Sequence, residues 1–188
     1  MKRYKSNKRV LLAAGIVLLL FAGQLWSLTI SKASLEELSV ESALIIVGEI
    51  NSIEYVWEDA NQNAINTLLS IDVSQYLKGT GESQIVVTQL GGFIGDLGDV
   101  IPGTPRFEEG DEVVLFLLES NGKYWIHSIA LGCFRVSEGE AGEKVVINDL
   151  RNINLINPTT GVNVKPEDAI TYFPMDDFID KIESYLGK

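Results

Sequence analysis

From Ala43 onward the chain is a succession of apolar runs rich in β-branched and aromatic residues, each closed by a polar or glycine-bearing turn. No other feature constrains the fold as strongly. Such residues suit a pleated, half-buried surface, and turns at this spacing leave room for strands but not for crossover helices. The first run is "ALIIVGEINSIEYVW", Ala43 to Trp57, ending in the polar turn "EDANQNA". Gly48 in its middle marks a bulge or a sharp bend. In "INTLLSIDVSQYLKG", Leu69, Ile71, Val73 and Gln75 alternate with Ser70, Asp72 and Ser74, the period of a half-buried strand. "QIVVTQL" is a third strand. "EVVLFLLE" is a fourth, apolar enough to be central, and "SNGK" after it is a hairpin turn. "YWIHSIALGCFRV" and "KVVIND" complete the set. The absence of strand–helix–strand alternation argues against a doubly wound fold.

Helices are expected only at the two ends. In "SLEELSVES" Ser34 and Glu37 have capping-box spacing. In "PMDDFIDKIESYLGK", Met175, Phe178, Ile179, Ile182, Tyr185 and Leu186 recur on one helical face. Pro174 suits the helix start, and Asp176 and Asp177 suit its positive end. The expected fold is mainly β: a small OB-like, netrin-like antiparallel β-barrel with a short N-terminal helix and a packed C-terminal helix. Residues 34–150 hold the barrel, 151–173 an irregular Asn-, Pro- and Thr-rich segment, and 174–188 the amphipathic helix.

Residues 1–33 stand apart. They carry six basic groups and no acid, leaving 9 basic against 26 acidic residues, a net charge of −17, for the rest. "MKRYKSNKR" precedes "VLLAAGIVLLLFAG", a basic region followed by an apolar one, as in a secretory signal. "SKA" at Ser31–Ala33 permits cleavage before Ser34. Equally, Val10 to Ile30 is 21 residues without a charge, enough to span a bilayer as a retained anchor. Both alternatives put the body outside the cytoplasm, either secreted or held by residues 10–30. The acidic body argues against nucleic acid as partner, because Lys and Arg supply that affinity.

Chemistry is sparse. Cys133 is the single cysteine and His127 the single histidine, too few for a usual zinc set. Cys133 is expected to be a small buried hydrophobe. His127 is expected on one strand face with Trp125 and Ile129, partly buried and satisfied. "DANQNAINTLLS" starts like a calcium loop but has Ala64 where the turn glycine belongs and Ser70 where the bidentate acid belongs. No G-x-S-x-G elbow occurs, and the acidic pairs are sequence neighbours, which point apart on strands. Neither metal, cofactor nor catalytic residue is expected.

The remaining feature is "QLGGFIGDLGDVIPGTPRF", Gln89 to Phe107, with five glycines and two prolines. Its Gly91-Gly92-x-x-Gly95-x-x-Gly98 spacing suggests a phosphate cradle. That cradle needs a following helix, which Pro102 and Pro105 forbid, and Asp96 and Asp99 repel phosphate. Two readings stay open. The glycines let the backbone cross one end of the fold, or the segment is a binding lip, because Phe93, Ile94, Leu97, Val100 and Ile101 are too apolar for a solvated loop. The candidate contact residues are Gly91, Gly92, Phe93, Ile94, Gly95, Leu97, Gly98, Arg106 and Phe107.

The series "ALIIVGEI", "V-S-Q-Y-LKG", "QLGG" and "PRFEEGDEVVLFLL" resembles a group of secreted prokaryotic proteins, over about residues 35–185. It is also similar to netrin-like modules, the OB-type barrels of metalloproteinase inhibitors. Those inhibitors reach a metal through an N-terminal cysteine and are stapled by disulfides, and this chain has neither feature. The resemblance implies fold and compartment. The expected function is a non-enzymatic extracytoplasmic module that binds a protein or ligand. The rival is a membrane-anchored structural or envelope-assembly protein, and a third reading is a secreted hydrolase.

Overall fold

The computed structural model describes residues 29–31, 33–151, 153–157, 159–165 and 169–188. The signal or anchor expected over residues 1–33 lies, apart from Thr29–Ser31 and Ala33, outside the described residues. Among the described residues no helix is long and apolar enough to cross a membrane.

The chain is mainly β. Strand β1 (Thr29–Ser31) precedes helix α1 (Leu35–Glu41). Then come β2 (Leu44–Trp57), β3 (Ile65–Lys78), β4 (Gln84–Leu90), a small hairpin of β5 (Gly92–Ile94) and β6 (Leu97–Asp99), β7 (Glu112–Ser120) and β8 (Lys123–Ile126). A 3₁₀ turn (Ile129–Gly132) leads to β9 (Cys133–Glu138), β10 (Lys144–Asp149), β11 (Asn154–Ile156), β12 (Ile170–Pro174) and helix α2 (Met175–Tyr185). Eight strands form one sheet in the order β12-β10-β9-β7-β2-β3-β4-β8, and β8 also pairs with β7. The capping box at α1 is present: Glu37 N–H donates to Ser34 Oγ at 3.1 Å and Ser34 N–H to Glu37 Oε2 at 2.7 Å.

The sheet is mixed, which corrects the purely antiparallel expectation. β7, β2, β3 and β4 alternate in direction. The turn at Asn121 and Gly122, both with positive φ, sends β8 back along β7, so β8 runs with β4 and pairs with it in parallel. β1 and β11 also pair in parallel. A second correction concerns residues 151–173, expected to be irregular. They hold β11 and most of β12, and β12 pairs with β10 over Val145–Asp149. The turn-rich composition hid "ITYFP", whose backbone groups complete the ladder of an otherwise open strand.

Two cores explain the long apolar runs. Along β7, Val113, Leu115 and Leu117 enter one core with Ile46, Ile50, Leu69, Ile71 and Val87. Val114 and Phe116 enter a second with Leu38, Ile45, Val47, Phe178 and Ile182. A strand buried on both faces is apolar at every position. In the second core Phe178 of α2 packs on Phe134, Phe116 and Phe173, with ring centroids 4.7, 6.3 and 5.7 Å away. The expected bend at Gly48 is there. The β2–β3 register shifts between Val47 and Gly48, and a Cβ on Gly48 would lie 2.7 Å from Asp72 O. The same shift turns Gln75 out to solvent, against the sequence alternation, and sends Tyr76 and Leu77 to different cores.

Candidate functional site

A cleft of about 530 Å³ opens where the glycine-rich segment crosses from β4 to β7. Its floor runs across three strands: Ile53 and Tyr55 of β2, Thr67 and Leu69 of β3, and Gln89 of β4. Leu69 is a fully buried member of the first core, so the cleft reaches down to that core. One wall is Gly91–Phe93. The other is the stretch from Thr104 to Glu108, with Asp111 and Arg135 at its end.

The segment is not a free loop. Gly91 N–H donates to Ile65 O at 2.8 Å, and Thr67 Oγ1 donates to Gly91 O at 2.6 Å. The β5–β6 hairpin then folds back over the ends of β2 and β3. Two glycines are required by this path. Gly91 has φ +90°, and a Cβ there would stand 2.6 Å from Asp99 O. Gly92 has φ +148°, and a Cβ there would stand 2.5 Å from Tyr55 Cδ1 and 3.0 Å from Ile65 Cγ2. A hairpin therefore follows β4 where a dinucleotide site would need a helix. The opposite wall is tied down by side chains. Gln89 Nε2 donates to Pro105 O at 3.1 Å. Arg135 donates to Asp111 Oδ2 at 2.5 Å and to Arg106 O, and its guanidinium lies 5.7 Å from the centre of the Phe107 ring. Glu108 N–H also donates to Asp111 Oδ2, at 2.8 Å.

The apolar residues of the segment divide. Phe93, Leu97 and Val100 are 53%, 60% and 62% exposed, while Ile94 and Ile101 are half-buried. Phe93 meets Tyr55, itself exposed, edge to face at 6.3 Å. The mouth of the cleft is thus aromatic, its floor mixed, with Thr67 and Gln89 beside Ile53 and Leu69, and its far end carries the Arg135–Asp111 pair.

Of the residues singled out in the sequence, Gly91, Gly92, Phe93, Arg106 and Phe107 line the cleft. Ile94, Gly95, Leu97 and Gly98 belong to the hairpin but are not among its lining residues. Sequence reasoning missed Tyr55, Thr67, Gln89, Asp111 and Arg135. The alternation of Ile53, Tyr55 and Trp57 was a signal for Tyr55. Nothing local pointed to Arg135, which reaches the site from β9.

His127 departs from the expectation. β8 ends at Ile126, and Ser128 and Ile129 have φ +53° and +59°, so Trp125, His127 and Ile129 do not share a strand face. A left-handed Ile is a strained conformation, held here by Gly132 N–H donating to His127 O at 3.0 Å. The imidazole is buried and satisfied. Its Nδ1 lies 3.2 Å from Ser42 Oγ and its Nε2 3.6 Å from Glu41 Oε2. Burial lowers its pKa, and the Glu41 charge partly opposes that. Ser42 is 2% exposed and outside the cleft, so its hydroxyl meets no substrate there. Cys133 sits in the first core, and burial pushes its thiol up to about 12 against the opposing charge of Arg135, the state of an inert thiol. The calcium-like stretch is a turn: Asp59 Oδ1 accepts from Asn61 N–H at 2.9 Å, and Gln62 has φ +59°. Among the described residues no group of three or more His, Cys, Asp or Glu side chains could hold a metal ion.

No protein-family model matches the chain, and no curated protein matches it.

Proposed function

We propose that this chain is a non-enzymatic extracytoplasmic binding module and that the cleft walled by Gly91–Phe93 and Thr104–Glu108 is its contact surface. The observation that carries the reading is the exposure of Phe93, Leu97 and Val100 beside a cleft that reaches the core. Apolar side chains of this size gain by leaving water, and here the described residues leave more than half of each uncovered. The cleft volume falls within the range of ligand sites, about 300–1,000 Å³.

The reading includes a small OB-like, netrin-like barrel. Its support is the cycle of pairings β7–β2–β3–β4–β8, which returns to β7 through the β7–β8 hairpin, the strand number of a five-stranded Greek-key barrel. In that frame the glycine-rich segment crosses one end. A hairpin fills the end less completely than a helix would, and the cleft is the space left over. The compartment rests on the basic and apolar runs of residues 1–33. The reading of an envelope-assembly protein held by residues 10–30 draws on one further fact. Thr29–Ser31, which overlap the end of the apolar run, pair with β11, which would tie an anchor closely to the folded body.

The test is a photo-crosslinking amino acid placed at Val100 in the full-length chain, with Glu140, exposed in the β9–β10 turn, as control. The expected result is a discrete crosslinked product from position 100, absent from position 140 and lost when Phe93 and Leu97 are both replaced by Ser in a chain that stays folded. The reading fails if position 100 yields nothing in the native envelope, or if the double replacement unfolds the domain.

A further inference from the structure

Strand β2 is longer than its neighbour on one side. It pairs with β3 out to Trp57↔Ile65, but with β7 only from Leu44 to Glu49. Beyond Ile50, whose N–H and C=O bond Asp111 and Gly110, no described strand continues the ladder. The phase of the β2–β3 ladder shows which groups this leaves open. Glu58 N–H donates to Ala64 O at 2.9 Å, and the register holds from Ile53 to Trp57. In an antiparallel pair, bonded and non-bonded positions alternate. Val56 and Glu54 therefore face β3, and the N–H and C=O groups of Ile53, Tyr55 and Trp57 point the other way. The side chains of Ile53 and Tyr55 line the cleft. A strand edge and a cleft with apolar residues in a polar frame thus lie side by side.

This edge lacks the usual guards. The stretch Ser52–Trp57 has no proline, no lysine and one charge, Glu54. Its surroundings are acidic: Glu54, Glu58 and Asp59 are exposed on the hairpin, and Glu108 lines the far wall. Of the two cations at the cleft, Arg135 is paired with Asp111. Edge-to-edge pairing of two copies would bring these acidic hairpins together, and like charges on paired strands repel. A basic segment gains where a second copy loses.

We infer that the free edge of β2 takes an extended, basic peptide segment of a partner protein as an added strand, with one apolar side chain of that segment in the cleft. The main-chain bonds supply affinity and the cleft selects the side chain. The inference rests on the cleft being the contact surface.

The experiment uses the full-length chain in neutral-lipid nanodiscs and a capped heptapeptide of alternating Lys and Val. Its controls are the same peptide N-methylated at alternate amides and a peptide of alternating Glu and Val. Amide hydrogen exchange at Ile53, Tyr55 and Trp57 is read out. The Lys–Val peptide is expected to slow exchange there by at least about tenfold. The N-methylated peptide keeps the charge but loses the donors and is expected to have no effect, as is the Glu–Val peptide. Tyr55→Pro removes an outward N–H without touching the β3 ladder and is expected to abolish protection. Equal protection by the N-methylated peptide, or none by the Lys–Val peptide, overturns the inference. If protection is absent while the Val100 crosslink persists, added-strand binding fails and the cleft reading stands. If both are absent, both fail.

Discussion

The C-terminal helix and the glycine-rich segment are both apolar for their position, yet they dispose of that character in opposite ways. In α2, Phe178 and Ile182 are fully buried against the aromatic second core. In the crossing segment, Phe93, Leu97 and Val100 remain more than half exposed. The difference follows from geometry. A helix gathers residues three and four apart onto one stripe that a sheet can cover. A hairpin of two three-residue strands is too small to cover either of its faces: Phe93, opposite Gly98, and Leu97, opposite Ile94, point to different faces, and both stay more than half exposed. What the hairpin leaves outside is exposed apolar surface.

Phe178→Ala should have the largest effect, because it opens a cavity among three packed rings. A loss of about 3–5 kcal/mol is expected, read as a fall in thermal midpoint. A small loss would mean that the second core is not closed and that the two regions differ less than described. Gly91→Ala comes next. The new Cβ meets the Asp99 carbonyl and the backbone is left-handed, so about 2 kcal/mol is expected from denaturant unfolding. That result would separate the glycines, which serve architecture, from their apolar neighbours.

His127 gives a smaller, pH-dependent effect. Its folded pKa is lowered below the ordinary 6.5 by burial, so the unfolded chain binds the proton more readily. Stability is therefore full above about pH 6.5 and declines as pH falls through that value, levelling off below the folded pKa. His127→Asn should flatten the midpoint-versus-pH curve between about pH 7 and 5 relative to the parent chain. An unchanged slope would show that His127 is not buried as described. The smallest effect belongs to Phe93→Ser with Leu97→Ser, at most about 0.5 kcal/mol per site on stability because both are exposed. A loss comparable to that of Phe178→Ala would erase the comparison.

The helices were legible because their signals are local: the Ser34–Glu37 spacing and the apolar stripe of α2 each lie within a few turns of chain. β2, β3, β4 and β7 were legible from composition and turns. β12 was not, because "ITYFP" becomes a strand only by completing the β10 edge. The single strand expected over Tyr124–Val136 is broken after Ile126 by two left-handed residues that composition does not reveal. Part of the cleft lining was legible. The glycines and Phe93 drew attention by their density, whereas Thr67, Asp111 and Arg135 are unremarkable until strands far apart in sequence meet.

By itself the sequence determined that the body is β-rich, acidic and free of disulfides, because residue type and alternation act over neighbouring positions. It also argued against a phosphate cradle at the glycine spacing, since the prolines oppose the helix such a site needs. Only the tertiary structure decided that β8 runs parallel to β4, that β2 outruns β7, and that the crossing segment leaves a cleft rather than a sealed end. Those outcomes depend on strand lengths and directions compared across the sheet, and no stretch of chain carries that comparison within itself.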